Sequence, residues 1–349
     1  MQKIALPPLA VTCGDPAGIG PDITIQAWAR REALDLPAFA YFGDATALAE
    51  RAKRLGCNLP IERIDRLAEV AACAAVALPV MHLPQPNATR AGYPDTANGA
   101  AVIAAIEAAV AQVMSGNASA IVTNPIAKNV LYAAGFKHPG HTEFLAELAA
   151  RHVPGRTFTP VMMLACDELC VVPLTVHIPL ATVPGLITRQ TIIETARIVH
   201  AGLICDFGIA QPRIAIAGLN PHAGEAGTIG REDEEIVRPA VELLRQEGLI
   251  VTGPHSADTL FHAAARETYD AVIAMYHDQA LIPIKTLAFD RGVNMTLGLP
   301  FVRTSPDHGT AFDIAGTGRA RPESFIEADR KSTRLNSSHV VTSRMPSSA

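Results

Sequence analysis

Short apolar runs alternate with amphipathic or alanine-rich stretches along most of the chain, and the runs tend to end in polar clusters. Leu9–Thr12, Ala38–Phe42, Ala120–Thr123, Leu169–Val176, Ile214–Leu219 and Ala271–Met275 have the length and content of strands buried on both faces. Between them, helices are expected over about Asp22–Arg31, from Asp44 through about Leu55, and over Asn98–Met114, Phe144–His152, 188–207 and 232–247. The clearest is Asn98–Met114, where Val102, Ile106, Val110 and Val113 recur at helical spacing and alanine fills most of the rest. Ser256 and Asp258 are placed to cap a helix opening at Leu260. The stretch from about 60 to 95 is broken by Pro60, Pro79, Pro84, Pro86 and Pro94 and resists assignment. Regular strand–helix alternation predicts an α/β fold with a mostly parallel sheet under helical cover.

Open α/β sheets bind ligands beyond the carboxyl ends of their strands, so the residues just past each run matter most. Ala271–Met275 ends in Tyr276-His277-Asp278-Gln279, Leu169–Val176 ends in His177, and Ile214–Leu219 runs into Asn220-Pro221-His222. Each histidine alone reads more readily as a loop residue than as a ligand. Three in the same strand-end context could meet on one rim, and neutral imidazole is a common ligand for a divalent metal. Lys285, Asn294 and Arg303 then supply a point cation, an amide and a guanidinium fork, a set suited to phosphate or carboxylate. Thr142 can cap the helix that begins beside it; alternatively, with His141, it marks an anion site at a helix N-terminus. Lys128, after Ala120–Thr123, is either a solvated loop lysine or a site lysine. Gly14, Gly18 and Gly20 make a tight strand-to-helix turn, stiffened by Pro16 and Pro21, that does not match the dinucleotide fingerprint G-x-G-x-x-G. The small residues of 307–318 allow backbone to lie against a flat or charged ligand.

Composition narrows the class. A chain of 349 residues, 49% hydrophobic and 18% charged, can bury one large α/β unit or two domains. With a net charge of −5 and a pI near 6.2 there is no basic stripe for nucleic acid. No apolar run of membrane-spanning length stands out, and the N-terminus lacks the build of a signal peptide. Cysteines 13, 57, 73, 166, 170 and 205 are scattered, as expected of reduced thiols in a cytoplasmic protein. Cys166 and Cys170 lack the second pair that a zinc site needs. From Lys331 the chain turns Ser/Arg/Thr-rich without apolar period, so 331–349 is expected to be disordered and foreign to the fold, cutting short a helix that starts near Pro322.

Several longer motifs occur together and in order. They are Gly14-Asp-Pro-Ala-Gly-Ile-Gly-Pro21, Gly140-His-Thr-Glu143, Val176-His-Ile-Pro179, Leu219-Asn-Pro-His-Ala-Gly-Glu225, Ala257-Asp-Thr-Leu-Phe261, Tyr276-His-Asp-Gln279 and Asp307-His-Gly-Thr-Ala-Phe-Asp-Ile-Ala-Gly316. With them the chain, from about residue 9 to 327, resembles the 4-hydroxythreonine-4-phosphate dehydrogenase family. The run His308–Gly316 is also similar to the cofactor loop of isocitrate and isopropylmalate dehydrogenases.

The resemblance implies two α/β domains of the isopropylmalate dehydrogenase type with the active site in the cleft between them. The first would take 1–135 plus 300–330 with the cofactor loop at 307–318, and the second 136–299 with the metal and dimer side. It implies a cytoplasmic homodimer with its active site at the subunit interface, using NAD or NADP and one divalent metal (zinc, magnesium or cobalt). The implied reaction oxidises the C3 alcohol of 4-phosphohydroxy-L-threonine, and the product then loses CO2, in vitamin B6 synthesis. The matching positions put the metal on His177, His222 and His277, and the substrate on His141, Thr142, Lys285, Asn294 and Arg303. Lys285, Asp278 and a metal-bound hydroxide are the candidates for the general base, and His308, Gly309, Thr310, Ala311, Asp313 and Gly316 for cofactor binding. A sister subgroup, acting on 4-phospho-threonate or -erythronate or on an aromatic dihydrodiol, shares the metal and cofactor positions and is the alternative.

Overall fold

The computed structural model describes residues 6–342, with the side chains of the last helix described as far as Leu335. The chain divides into two compact units. The first takes the described residues up to Pro160 and again Leu299–Ser337; the second takes Val161–Gly298 and the described residues from Ser338. Residues 136–160, expected in the second domain, group with the first unit.

The first unit is built on strands β1 (Leu9–Thr12), β2 (Phe39–Gly43), β3 (Ile61–Ile64), β4 (Leu78–His82), β5 (Ile121–Thr123) and, after the chain returns, β12 (Arg303–Pro306). They run parallel in the order β3-β4-β2-β1-β5-β12. β1, β2 and β12 are buried along their whole length, as central parallel strands covered on both faces are. β3 and β4 lie in the proline-broken stretch; edge strand β3 exposes Glu62 and Arg63, which is why no apolar period announced it.

The helix Gly99–Met114 covers β1 and β2 and buries Val102, Ala105, Ile106, Ala109 and Val110. The stretch Thr96–Met114 is long and apolar enough to cross a membrane by length and composition alone, though Asn98, Glu107 and Gln112 interrupt it and its helix packs on the sheet. Around the helix Gly20–Ala29, Trp28 meets Phe39 edge-on at 4.9 Å, and Phe39 meets Phe325 at 6.0 Å.

The last helix corrects another expectation. Residues 331–342, expected to be disordered, continue the helix Glu323–Thr342; 343–349 lie outside the described residues. Phe325, Ala328, Ser332 and Leu335 form one buried stripe at helical spacing. Ser332 is small enough to approach β12, where Thr304 Oγ1 meets Ser332 Oγ at 2.8 Å and donates to Ala328 O at 2.9 Å. A serine in an apolar role hid the period.

The second unit holds β6 (Val161–Ala165), β7 (Cys170–Pro173), β8 (Arg213–Ala217), β9 (Ile250–His255), β10 (Ala271–Ala274) and β11 (Val293–Leu297) in the order β11-β6-β7-β10-β8-β9. β6 is antiparallel to both neighbours, and β7, β10, β8 and β9 are parallel. Val171, Val272, Ala274 and Ile284 centre its core.

Two helix expectations change here. The stretch 232–247 is a wide turn at Asp233–Val237 followed by a helix Arg238–Gln246, because Pro239 lacks the N–H that would continue a regular ladder. No helix opens at Leu260: Ala257–Thr259 is one tight turn, and a short helix comes next at Ala263–Arg266, capped by His262 instead of Ser256 or Asp258.

Candidate active site

In the second unit, the strands preceding His177, His277 and His222 are β7, β10 and β8, which are sequential neighbours in the parallel sheet. Their carboxyl ends share one edge, where such sheets bind ligands. The ends are tied together: Thr175 Oγ1 donates to Met275 O at 2.8 Å, and Gln279 Nε2 donates to Gly218 O at 2.8 Å while its Oε1 accepts from Met275 N–H at 2.6 Å. The rings of His177 and His277 lie 5.6 Å apart. His277 opens the helix His277–Ala288, and its Nδ1 lies 2.7 Å from Asp278 Oδ1. Both histidines and Asp278 line a cleft of about 400 Å³ with Pro179, Leu180 and Tyr276.

His222 comes after β8 on an unusual turn. His222, Ala223, Gly224, Glu225 and Ala226 all have positive φ, from 42° to 77°. Left-handed backbone costs a residue with a Cβ roughly 1–2 kcal/mol, so other contacts must hold the turn. The buried Asp233 carboxylate does so, accepting from Leu219 N–H at 2.7 Å, Asn220 N–H at 3.0 Å and Asn220 Nδ2 at 3.1 Å. Ser256 and Asp258, expected as helix caps, instead bond each other beside His222. The Ser256 hydroxyl is the main cause of a lowered Asp258 carboxyl pKa, to which His222 adds.

Among the described residues, no three imidazole, thiol or carboxyl groups stand close enough to enclose an ion. His177 and His277 form a pair that His222 does not complete. The donor types and the shared strand edge nonetheless suit a divalent metal.

The second unit also carries Lys285 and Asn294. Lys285 Nζ lies 5.3 Å from the Phe289 ring centroid, and Asn294, on β11, has its Oδ1 enclosed without a hydrogen-bond donor.

In the first unit, Arg303 opens β12 and is buried; its Nε and Nη2 both donate to Thr123 Oγ1, at 3.0 and 2.6 Å. Burial lowers its pKa to about 10. His141 is the first residue of the helix His141–His152. Its Nε2 is enclosed and unbonded, and burial together with the Arg303 charge lowers its pKa to about 3, so the ring is neutral near pH 7. Thr142 lies in the first helical turn and makes no cap hydrogen bond; extended Gly140 holds the cap position.

The 307–318 loop rests on the Gly14–Pro21 turn. Ile19 N–H donates to Thr310 O at 2.9 Å, and a Cβ on Gly18 would come within 2.9 Å of the same oxygen. Gly316, at φ +69°, donates its N–H to Asp22 Oδ1 at 2.7 Å. A Cβ on Gly309 would meet nothing within 4 Å, so the backbone there can take a ligand at close range.

The family model of "Pyridoxal phosphate biosynthetic protein PdxA" matches residues 35–331. The chain belongs to the PdxA family. It is 55% identical over 333 residues to a 4-hydroxythreonine-4-phosphate dehydrogenase of Xanthobacter autotrophicus, covering 95% of this chain and 94% of that one. A Methylorubrum populi enzyme of the same name is 56% identical over 333 residues, with 94% of each chain covered. The crystal structure of 4-hydroxythreonine-4-phosphate dehydrogenase from Klebsiella pneumoniae superposes with a TM-score of 0.83 at 37% identity, covering 95% of this chain and 99% of that one.

Within this PdxA-family chain, several supporting residues carried no readable sequence signal. Thr123 holds the Arg303 fork, Thr175 and Gln279 join the histidine-bearing strand ends, and Asp233 organises the His222 turn. Their partners are backbone groups or residues distant in sequence. Only Gln279 lay inside a recognised polar cluster.

Proposed function

We propose that this chain catalyses the NAD(P)-dependent oxidation of 4-phosphohydroxy-L-threonine to 2-amino-3-oxo-4-phosphohydroxybutyrate, which loses CO2 to give 3-amino-2-oxopropyl phosphate. The observation that carries this reading is the placement of His177, His222 and His277 at the carboxyl ends of neighbouring parallel strands in a PdxA-family chain. These three residues would hold a divalent metal, which would supply Lewis acidity to the substrate's oxygen.

The other roles belong to the chain itself. Arg303, Lys285, His141, Thr142 and Asn294 bind the substrate's anionic and polar groups and orient C3 towards the nicotinamide. Arg303 arrives with its fork fixed by Thr123, so little freedom is lost when an anion binds. His141, being neutral, offers a hydrogen bond without a competing charge. Residues 308–316 would hold the dinucleotide, which would supply the hydride acceptor for C3. The hydroxyl proton leaves to Lys285 or Asp278, and the pH–rate profiles of Lys285→Met and Asp278→Asn discriminate between them.

The reading includes a cytoplasmic homodimer with the active site at the subunit interface. Leu180, Ile282 and Phe289, exposed at 68%, 64% and 72%, support a partner surface on the second unit.

The test follows reduced cofactor by absorbance with 4-phosphohydroxy-L-threonine and 4-phospho-D-erythronate as separate substrates. Turnover of the threonine compound is expected. Exclusive turnover of the erythronate compound would move the chain to the sister subgroup.

A further inference from the structure

We propose that Arg51, Asp22 and Arg54 form a clamp that fixes the shape of the 307–318 loop and thereby sets dinucleotide affinity without touching the dinucleotide. The inference rests on the reading of this loop as the cofactor loop.

Arg51 and Arg54 lie one turn apart at the end of the helix Ala45–Arg54. Arg51 is buried against the fully buried Asp22 and pairs with its Oδ2. Its guanidinium also donates to Gly18 O and Pro16 O, each at 2.8 Å, gripping the Gly14–Pro21 turn from inside. The other Asp22 oxygen accepts from Gly316 N–H at 2.7 Å, and Arg54 Nε donates to Gly316 O at 3.0 Å. Both polar groups of one left-handed glycine are therefore held by charged side chains from a single support. At its other end the loop is tied by Ile19 N–H to Thr310 O at 2.9 Å. Between these anchors lies Ala311, at φ 41°, and just before them Gly309, with open space at its Cβ position.

A buried ion pair is a weak source of stability, because desolvation offsets its attraction. What this pair supplies is position: the other groups that Arg51 and Asp22 bond belong to the turn or to the loop. Arg51, Asp22 and Arg54 are positioning residues. Their loss should loosen the loop and weaken dinucleotide binding, leaving the chemical step intact once cofactor saturates.

The test measures NADH and NADPH binding by calorimetry, with KM and kcat for the oxidised cofactors, on the full chain. Arg54→Met should raise the dissociation constant about tenfold, the scale of one hydrogen bond from a charged group. Arg54→Lys, which keeps a donor, should recover most of that loss. Asp22→Asn should weaken binding at least as much. In each folded variant, kcat at saturating cofactor should stay within about twofold of the parent, the signature of lost uniform binding. If Asp22→Asn does not fold, the Arg54 pair decides, since Arg54 is exposed and its loss leaves no buried charge behind. Unchanged affinity in Arg54→Met and equal affinity in the Met and Lys variants would overturn the clamp while leaving the dehydrogenase reading in place. A parent chain that binds neither dinucleotide would overturn the cofactor-loop reading and the clamp with it.

Discussion

In the first unit, the 307–318 loop is held by hydrogen bonds from Ile19 to Thr310 and from Gly316 to Asp22, the turn beneath it by Arg51, and the Arg303 fork by its two bonds to Thr123. In the second, His177 and His222 are exposed, and His222 rides on a left-handed turn that depends on one carboxylate, Asp233. On the proposed assignment, the anion and cofactor elements of the first unit are held rigid, while the three imidazoles would be drawn together by the ion they bind. Preorganised donors suit a ligand that arrives already shaped. Imidazoles on a strained turn suit an ion whose coordination supplies the missing order. The contrast predicts that substitutions at the strand-end histidines and their supports act on metal affinity and rate, whereas those at the Arg303 fork and the 307–318 loop act on substrate and cofactor binding.

The largest expected effect is at the rim. His277→Ala should lower turnover about a thousandfold, because a Lewis acid is worth several kcal/mol in the transition state. The thermal midpoint should barely move. Near-parental turnover measured by reduced-cofactor absorbance would remove the metal reading and with it the contrast.

Asp233→Asn comes next. It weakens the tether of the His222 turn and should reduce metal affinity about 10- to 100-fold, on the scale of outer-sphere ligand support. Titration of the metal-free protein with zinc, followed calorimetrically, measures it. A drop in stability with unaltered zinc affinity would make Asp233 a purely structural residue.

Arg303→Lys should raise KM for the phosphorylated substrate about tenfold with little change in kcat, since a lysine cannot place two donors on Thr123 and still present a fork. Equal losses in kcat and kcat/KM would place Arg303 in the chemical step instead.

The smallest effect concerns stability against pH. The folded chain holds the His141 pKa at about 3, against 6.5 ordinarily. Between these values the unfolded chain takes up a proton that the folded chain refuses, so stability falls as pH drops from about 6.5 towards 3 and is fully present above that window. Urea midpoints for the parent and His141→Gln, compared at pH 7 and pH 5, should show a shallower decline in the variant. Parallel declines would mean that the ring is protonated in the folded chain.

The strand–helix rhythm, the central strands and the residues at their carboxyl ends were legible because each is local: an apolar run, then a polar cluster. Edge strand β3 escaped because proline and charge replace the period there. The last helix past Lys331 escaped because Ser332 fills a core position by being small. The Leu260 helix was misplaced because Ser256 and Asp258 have the chemistry of caps but stand beside His222. The family motifs reached the first contacts of the proposed site. They did not reveal Thr123, Asp233 or the Arg51–Asp22 pair, whose partners lie in backbone or far along the chain.

The most direct measurement is turnover of 4-phosphohydroxy-L-threonine with NAD and with NADP before chelation, after chelation, and after zinc, magnesium or cobalt is added back, in the parent and in His222→Ala. Chelation should abolish the parent's activity, metal should restore it, and His222→Ala should stay inactive in a folded chain at assay metal concentrations. Undiminished turnover by chelated parent, or by His222→Ala, would contradict the metal reading.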